Sequence, residues 1–321
     1  VAILRAESIQ SDGRRPATRH GILHTSPRGF DLQDPAITLP STSSVHMTKL
    51  LTLLVFLLFS STANAIVIRD DVDDAKYRVP SSEFPALVDM PGEGHGVLIA
   101  PQWVITAAHT IPQHAQLKRV AINGLDRDVE RVVVHTGYRP LPQALIDQAT
   151  ATGEAMLIVV FLASGDDIAL VKLARPVTDV APVALYKGTE EYNQRVKMLG
   201  KGATGTGATG HDPKASHRGE LRRAFNQVSS AYDRWFCYVF DKPPTGLPLE
   251  GVLGNGDSGG PVLVQDGGQW VLAALASWKV VEGNVLTAWP GRYGQISCNV
   301  RLSYYRGWIE GVLSGESGSA H

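Results

Sequence analysis

Short apolar runs of four to nine residues, separated by turn residues, recur along most of this chain. They are Gly96–Ile99, Trp103–Ala107, Val132–His135, Ile168–Leu173, Val183–Tyr186, Val196–Leu199, Pro261–Val264 and Trp270–Trp278. Runs of this length at this spacing predict antiparallel strands in a sandwich or barrel, so the fold class is all-β. One amphipathic stretch, Tyr304 to Leu313, predicts a closing helix, and residues 314–321 read as a solvated tail. The segment from Tyr138 to Ser164 holds Ala144-Leu145-Ile146-Asp147 and the apolar run Met156 to Leu162. Its periodicity does not decide between helix and strand.

The beginning of the chain has a different pattern. Residues 1–46 are rich in Arg, Ser, Pro and His, lack sustained periodicity and begin with Val. Met47-Thr48-Lys49 then leads into Leu50–Phe59, apolar except for Thr52, and into a small-residue segment ending Ala63-Asn64-Ala65. A basic start, an apolar run and an Ala-x-Ala end make residues 47–65 a secretory signal peptide. The apolar run is shorter than the ~20 residues a membrane span needs. Translation is therefore expected to start at Met47, with residues 1–46 as upstream sequence; the competing reading is a translated tail with an internal anchor. Cleavage would leave a chain starting at Ile66, exported to the extracellular space or periplasm, with no stable membrane anchor.

Composition narrows the partners. Thirty Lys and Arg face 31 Asp and Glu, a net charge of −1, which gives no reason to expect nucleic acid or an anionic surface. The two cysteines lack metal-ligand spacing. No metal or cofactor is expected.

The stretch that carries chemistry is Gly254-Asn255-Gly256-Asp257-Ser258-Gly259-Gly260-Pro261. Four glycines around one serine let the backbone fold tightly and turn its N–H groups outward, beside an exposed hydroxyl. A plain hairpin turn would need neither the Asp nor the closing Pro. Gly256, Ser258 and Gly260 also match the Gly-x-Ser-x-Gly elbow of α/β-hydrolases, but that arrangement requires a histidine downstream. The only one is His321, the last residue, so the base must lie upstream. His109 ends the apolar strand Val97 to Ala108, a rigid support for a general base. Asp167 leads into the alternating run Ile168–Leu173, where a carboxylate can be buried and still accept from a histidine. Its neighbour Asp166 is expected to face solvent. Taken singly, a histidine at a strand end is more often structural, and both aspartates could merely mark a turn.

Together, Thr106-Ala107-Ala108-His109, Asp167-Ile168-Ala169-Leu170 and Gly256-Asp257-Ser258-Gly259-Gly260-Pro261, in that order, resemble the trypsin/chymotrypsin family of serine peptidases. Gly200-Lys201-Gly202, Ser277-Trp278 and Trp308-Ile309 add lesser matches. The resemblance spans residues 66–313 and implies two six-stranded antiparallel Greek-key barrels, about 66–185 and 186–302, with a C-terminal helix at 303–313. It implies Ser258 as nucleophile, His109 as base and then acid, and Asp167 as its orienter. The N–H groups of Gly256 and Ser258 would form the oxyanion hole, and Ser277 would hydrogen-bond the buried Asp. It further implies that an Ile66 ammonium freed by cleavage pairs with Asp257, although Ile68-Arg69 replace the family's two flexible glycines there.

The implied activity is secreted serine endopeptidase on protein or peptide substrates, acting as a monomer. The alternatives are a catalytically silent binding protein of the same fold, or an esterase using the same triad. Substrate-binding positions by the resemblance are Val252 at the pocket base, Ser277, Trp278, Lys279 and Gly291. Val252 makes a Lys or Arg preference unexpected. A lysine at 279 can narrow the pocket, attract an acidic side chain or extend into water; the last is the expectation, leaving an uncharged, small-to-medium apolar preference. The resemblance sets Cys237 and Cys298 on or near neighbouring strands, several residues out of register, which leaves a bridge between them open. The 138–164 segment is longer than the family usually allows and would border the cleft.

Overall fold

The computed structural model describes residues 66–113, 115–211, 219–280 and 289–315. The expected upstream segment, the signal peptide and the end of the tail lie outside these residues. In chain order the elements are β1 (Val67–Ile68), β2 (Leu87–Asp89), β3 (His95–Ala100), β4 (Trp103–Thr106), β5 (Arg119–Ile122) and β6 (Leu125–Val134). Two helices follow, α1 (Gln143–Thr152) and α2 (Met156–Ala163), and then β7 (Ala169–Leu173) and β8 (Arg195–Gly200). The second half holds β9 (Gly205–Thr206), β10 (Gly210–His211), β11 (Arg222–Gln227), β12 (Ser230–Tyr232), β13 (Trp235–Val239) and β14 (Gly251–Val252). It ends with β15 (Pro261–Asp266), β16 (Gln269–Val280), β17 (Ile296–Arg301) and α3 (Arg306–Ser314).

Strands β2 to β7 close a barrel in the order β2-β3-β4-β7-β6-β5. Closure removes every free sheet edge. Alternating residues such as Val97, Ile105, Ile122 and Leu170 fill its interior and are fully or almost fully buried. The second half is a seven-stranded sheet, β11-β8-β15-β16-β17-β13-β12, beside a four-stranded sheet in which β1 lies between β9 and β14. A second core of Val196, Met198, Phe236, Tyr238, Val262 and Ala274 packs there, with Ile66 and Val67 part of it. This is the mostly-β architecture expected, with one barrel closed and its counterpart an open sheet. Helix α3 forms where the amphipathic pattern predicts it and buries Ile309 and Val312.

One local feature settles what the sequence left open, and two depart from the sequence reading. The 138–164 segment is helical: Pro142 precedes α1, and Gly153 ends it in the left-handed region at φ 75°. Helix α2 is apolar all round yet buries none of its residues fully. Its C-terminal end is tied down where the Trp235 indole N–H donates to the Ala163 carbonyl at 2.9 Å. Cys237 and Cys298 are directly opposite on β13 and β17, not several residues out of register. Their Cα atoms are 4.2 Å apart and they form a disulfide. That separation is typical of a non-hydrogen-bonded antiparallel pair, the position where side chains approach most closely. Asp166 does not face solvent. It accepts from the Tyr305 hydroxyl at 2.8 Å and lies 3.4 Å from both Arg234 and His135.

Candidate active site

His109 stands in a single 3-10 turn, Ala108–Thr110, directly after β4. The turn is fixed from below. The Thr106 hydroxyl donates to the His95 carbonyl at 2.6 Å, and the Thr110 hydroxyl donates to the Ala107 carbonyl at 2.8 Å. Asp167 lies just before β7, the neighbour of β4 in the barrel, so strand pairing alone brings it beside His109. One carboxylate oxygen accepts from the His109 backbone N–H at 2.9 Å. The other lies 2.7 Å from His109 Nδ1 and accepts from the Ser277 hydroxyl at 2.5 Å. Ser277 can reach it because β16 carries a register shift between Ala276 and Trp278.

These contacts set the charge states. Burial alone would raise the Asp167 carboxyl, but the charge and hydrogen bond of His109, and then Ser277, hold it below its ordinary value. Desolvation pulls His109 down. Asp167 outweighs that by charge and hydrogen bonding, and the imidazole ends above its ordinary value. Glu93 pushes His109 the same way and Lys279 opposes it.

The serine loop closes onto this pair from the second half of the fold. The His95 N–H donates to the Ser258 carbonyl at 2.7 Å, and Gly259 N–H donates to the Ala276 carbonyl at 2.8 Å. Gly259 has φ +73°, and a Cβ there would come within 2.2 Å of the His95 carbonyl oxygen and 2.3 Å of Thr106 Oγ1. Only glycine allows the loop to sit this close to the strand that leads to His109. Gly256, at φ +85°, shapes the turn before the serine. Among the described residues, the N–H groups of Gly256 and Ser258 have no acceptor, and Ser258 Oγ makes no hydrogen bond. Unengaged donors beside an unengaged hydroxyl can stabilise an anion forming there.

Asp257 points away from the cavity and into the fold. It is fully buried, and its two oxygens accept from the Gly202 and Gly254 N–H groups, each at 2.7 Å. His95 Nε2 lies 3.8 Å away. Burial pushes the Asp257 carboxyl up, while His95, the two N–H donors and Lys279 partly offset that. Ile66 is also fully buried; in the uncut chain its nitrogen is a peptide amide, with no charge to offer Asp257.

A cavity of about 240 Å³ opens beside Ser258, bounded by Gly256, Ser277, Trp278 and Lys279 among others. Val252 and Gly291 are not in its lining. Val252 pairs with Val67 in the core, and Gly291 packs against Val67 and His211. Leu253 and Pro290, their chain neighbours, line the cavity instead. Tyr238, Ser297 and Asn299 also line it and were not legible as site residues, since β13 and β17 mix polar with apolar positions. His95 was missed too, although a histidine between two glycines at the head of an apolar run is a readable signal.

Two comparisons bear on this arrangement. The family model described as Trypsin matches residues 75–309. The atrial natriuretic peptide-converting enzyme of Mus musculus is 29% identical over 236 residues, which cover 67% of this chain and 18% of that protein. The chain thus spans under a fifth of the length of that relative. Among the described residues, no helix is long and apolar enough to cross a membrane.

Proposed function

Since the chain belongs to the trypsin family, we propose that it is a secreted serine endopeptidase in which Ser258, His109 and Asp167 form the catalytic triad. The observation that carries this reading is the ordered pair itself: Asp167 fixed by His109 and Ser277, beside a serine with free N–H donors around it. Ser258 Oγ attacks the substrate carbonyl carbon while His109 Nε2 takes its proton. The carbonyl oxygen, now an anion, accepts from the Gly256 and Ser258 N–H groups. His109 passes its proton to the amide nitrogen, the amine leaves, and an acyl-enzyme ester remains. Water, deprotonated by His109, then hydrolyses that ester and regenerates Ser258. Asp167 keeps Nδ1 protonated so that Nε2 can accept, and it stabilises the imidazolium.

Export is supported by the signal-like segment and by the Cys237–Cys298 disulfide, since such bonds persist in oxidising compartments. With triad and cavity supplied by one chain, a monomer suffices. The cavity beside Ser258 would take the side chain on the acyl side of the cut bond, the P1 residue. Among the described lining residues the one carboxylate is Glu93, which is exposed, and Val252 carries none, which disfavours Lys and Arg. The sequence alone favours an uncharged apolar residue there, whereas the polar lining of the cavity favours an acceptor.

Activation by cleavage before Ile66 belongs to the same proposal. Ile66 has φ 65°, a left-handed backbone that costs a β-branched residue about 1–2 kcal/mol or more. Cleavage there creates an ammonium that Asp257 can pair with. Fluorophosphonate labelling read by intact mass is the first test, with a single adduct expected on the wild type and none on Ser258→Ala. Turnover of a peptide against its ester analogue separates peptidase from esterase. Absence of any adduct would leave only the binding-protein reading.

A further inference from the structure

From the charge and lining of the cavity beside Ser258 we infer that this enzyme selects a carboxylate side chain, Glu or Asp, at P1, and that Lys279 is the residue that selects it. The inference rests on the endopeptidase reading above and deepens it. Lys279 follows Ser277 and Trp278 on β16, where its backbone pairs with Ser297 on β17. It does not simply extend into water as its sequence position suggested. It lines the same cavity as Ser258 and Gly256, and it is close enough to act electrostatically on both His109 and Asp257.

Among the described residues Lys279 makes no salt bridge, and the carboxylate it senses, Asp257, already accepts two backbone N–H groups on the far side of the loop. Burial draws its ammonium down to about 8, with Asp257 resisting the shift. A half-buried ammonium with no salt bridge among the described residues favours a ligand that brings an anion. Glu93 also lines the cavity, but it is exposed, so water screens its charge.

The rest of the lining agrees. The Tyr238 hydroxyl is buried at the cavity wall, with Ser297 and Asn299 as its hydrogen-bonding neighbours, so the wall is polar rather than apolar. An apolar P1 side chain would leave the Lys279 ammonium facing no anion, whereas a carboxylate supplies one. At about 240 Å³ the cavity is smaller than the ~300 Å³ at which drug-sized ligand sites begin, so it suits one side chain.

The test uses protein secreted from a host that carries the whole chain, with fluorophosphonate titration of Ser258 giving the competent concentration. Fluorogenic peptides differing only at P1 (Glu, Asp, Gln, Leu, Lys) are compared by kcat/KM. Glu should exceed its neutral isostere Gln by roughly ten- to a hundredfold, the range of a charge-assisted contact. Lys279→Met should bring the Glu-to-Gln ratio to about one. Lys279→Glu should invert it in favour of Lys, and Lys279→Arg should keep the wild-type order, which guards against a ratio lost through misfolding. A wild type that cuts after Gln or Leu as fast as after Glu overturns the inference and leaves the peptidase reading standing. So does a Lys279→Met variant with the wild-type ratio. A wild type that neither labels nor cuts any peptide overturns both.

Discussion

Breaking the Cys237–Cys298 bond is the perturbation whose magnitude follows most directly from the fold. The bond joins residues 61 apart, and opening it frees the unfolded chain to sample many more conformations. In the chain-entropy relation a loop of this length corresponds to about 4 kcal/mol. For a domain of this size each kcal/mol moves Tm by about 2–4 °C, so the loss should be roughly 8–16 °C. The double variant Cys237→Ala/Cys298→Ala gives the cleaner comparison, because it leaves no free thiol to exchange. Calorimetry of wild type and variant, each with and without dithiothreitol, separates the effects. The reductant should destabilise the wild type and leave the variant unchanged. The loop between the cysteines holds β14, Ser258, β15 and β16, so activity should fail at the same lower temperature as the fold. A variant melting within about 2 °C of wild type would refute the reasoning.

Other outcomes follow from the same contacts. His109 must be neutral to accept a proton and its pKa is raised by Asp167, so the acid limb of kcat/KM should be half-maximal above the ordinary ~6.5. Asp167→Asn should move that limb below it and lower the plateau sharply, and an unmoved limb would count against the assignment. Gly259→Ala should cost roughly 3 kcal/mol or more, since its Cβ meets the His95 carbonyl oxygen and its φ is positive; a chemical-denaturation midpoint equal to wild type would contradict the close approach. Tyr305→Phe removes a hydrogen bond to Asp166 and should cost about 1.5–3 kcal/mol by the same measurement.

Parts of this arrangement were legible because local pattern and tertiary role coincide. The runs at Trp103–Ala107, Ile168–Leu173 and Trp270–Trp278 became β4, β7 and β16, since burial on at least one face demands apolar residues at strand spacing. The glycines around Ser258 were readable because positive φ and close approach exclude other residues. Strands β11 and β17 were not readable: Arg222, Asn226 and Asn299 are buried and polar, satisfied by Asp74, Gly251 and Phe236 from distant segments. No pattern along the chain announces such partners. The same holds for Asp166, whose partners Arg234 and Tyr305 are remote in sequence, and for the register that sets Cys237 against Cys298. Lys279 was visible as a residue, but only the fold shows that it is half-buried and lines the cavity beside Ser258. The Val183–Tyr186 run formed no strand, only a bridge from Leu185 to Leu272.

Asp166 and Asp167 are consecutive, yet they are bound to opposite ends of the domain's history. Asp167 meets His109, which a ribosome delivers 58 residues earlier, and Ser277, which follows 110 residues later. Asp166 waits for Tyr305, 139 residues on. During synthesis Asp167 can thus be gripped once Ser277 emerges, whereas the residue before it, already beside His135 and Arg234, gains its last hydrogen bond only with Tyr305. A nascent chain paused at residue 300 would contain His109, Asp167, Ser258 and Ser277 but lack that one tether, which sits in the turn leading into the final helix.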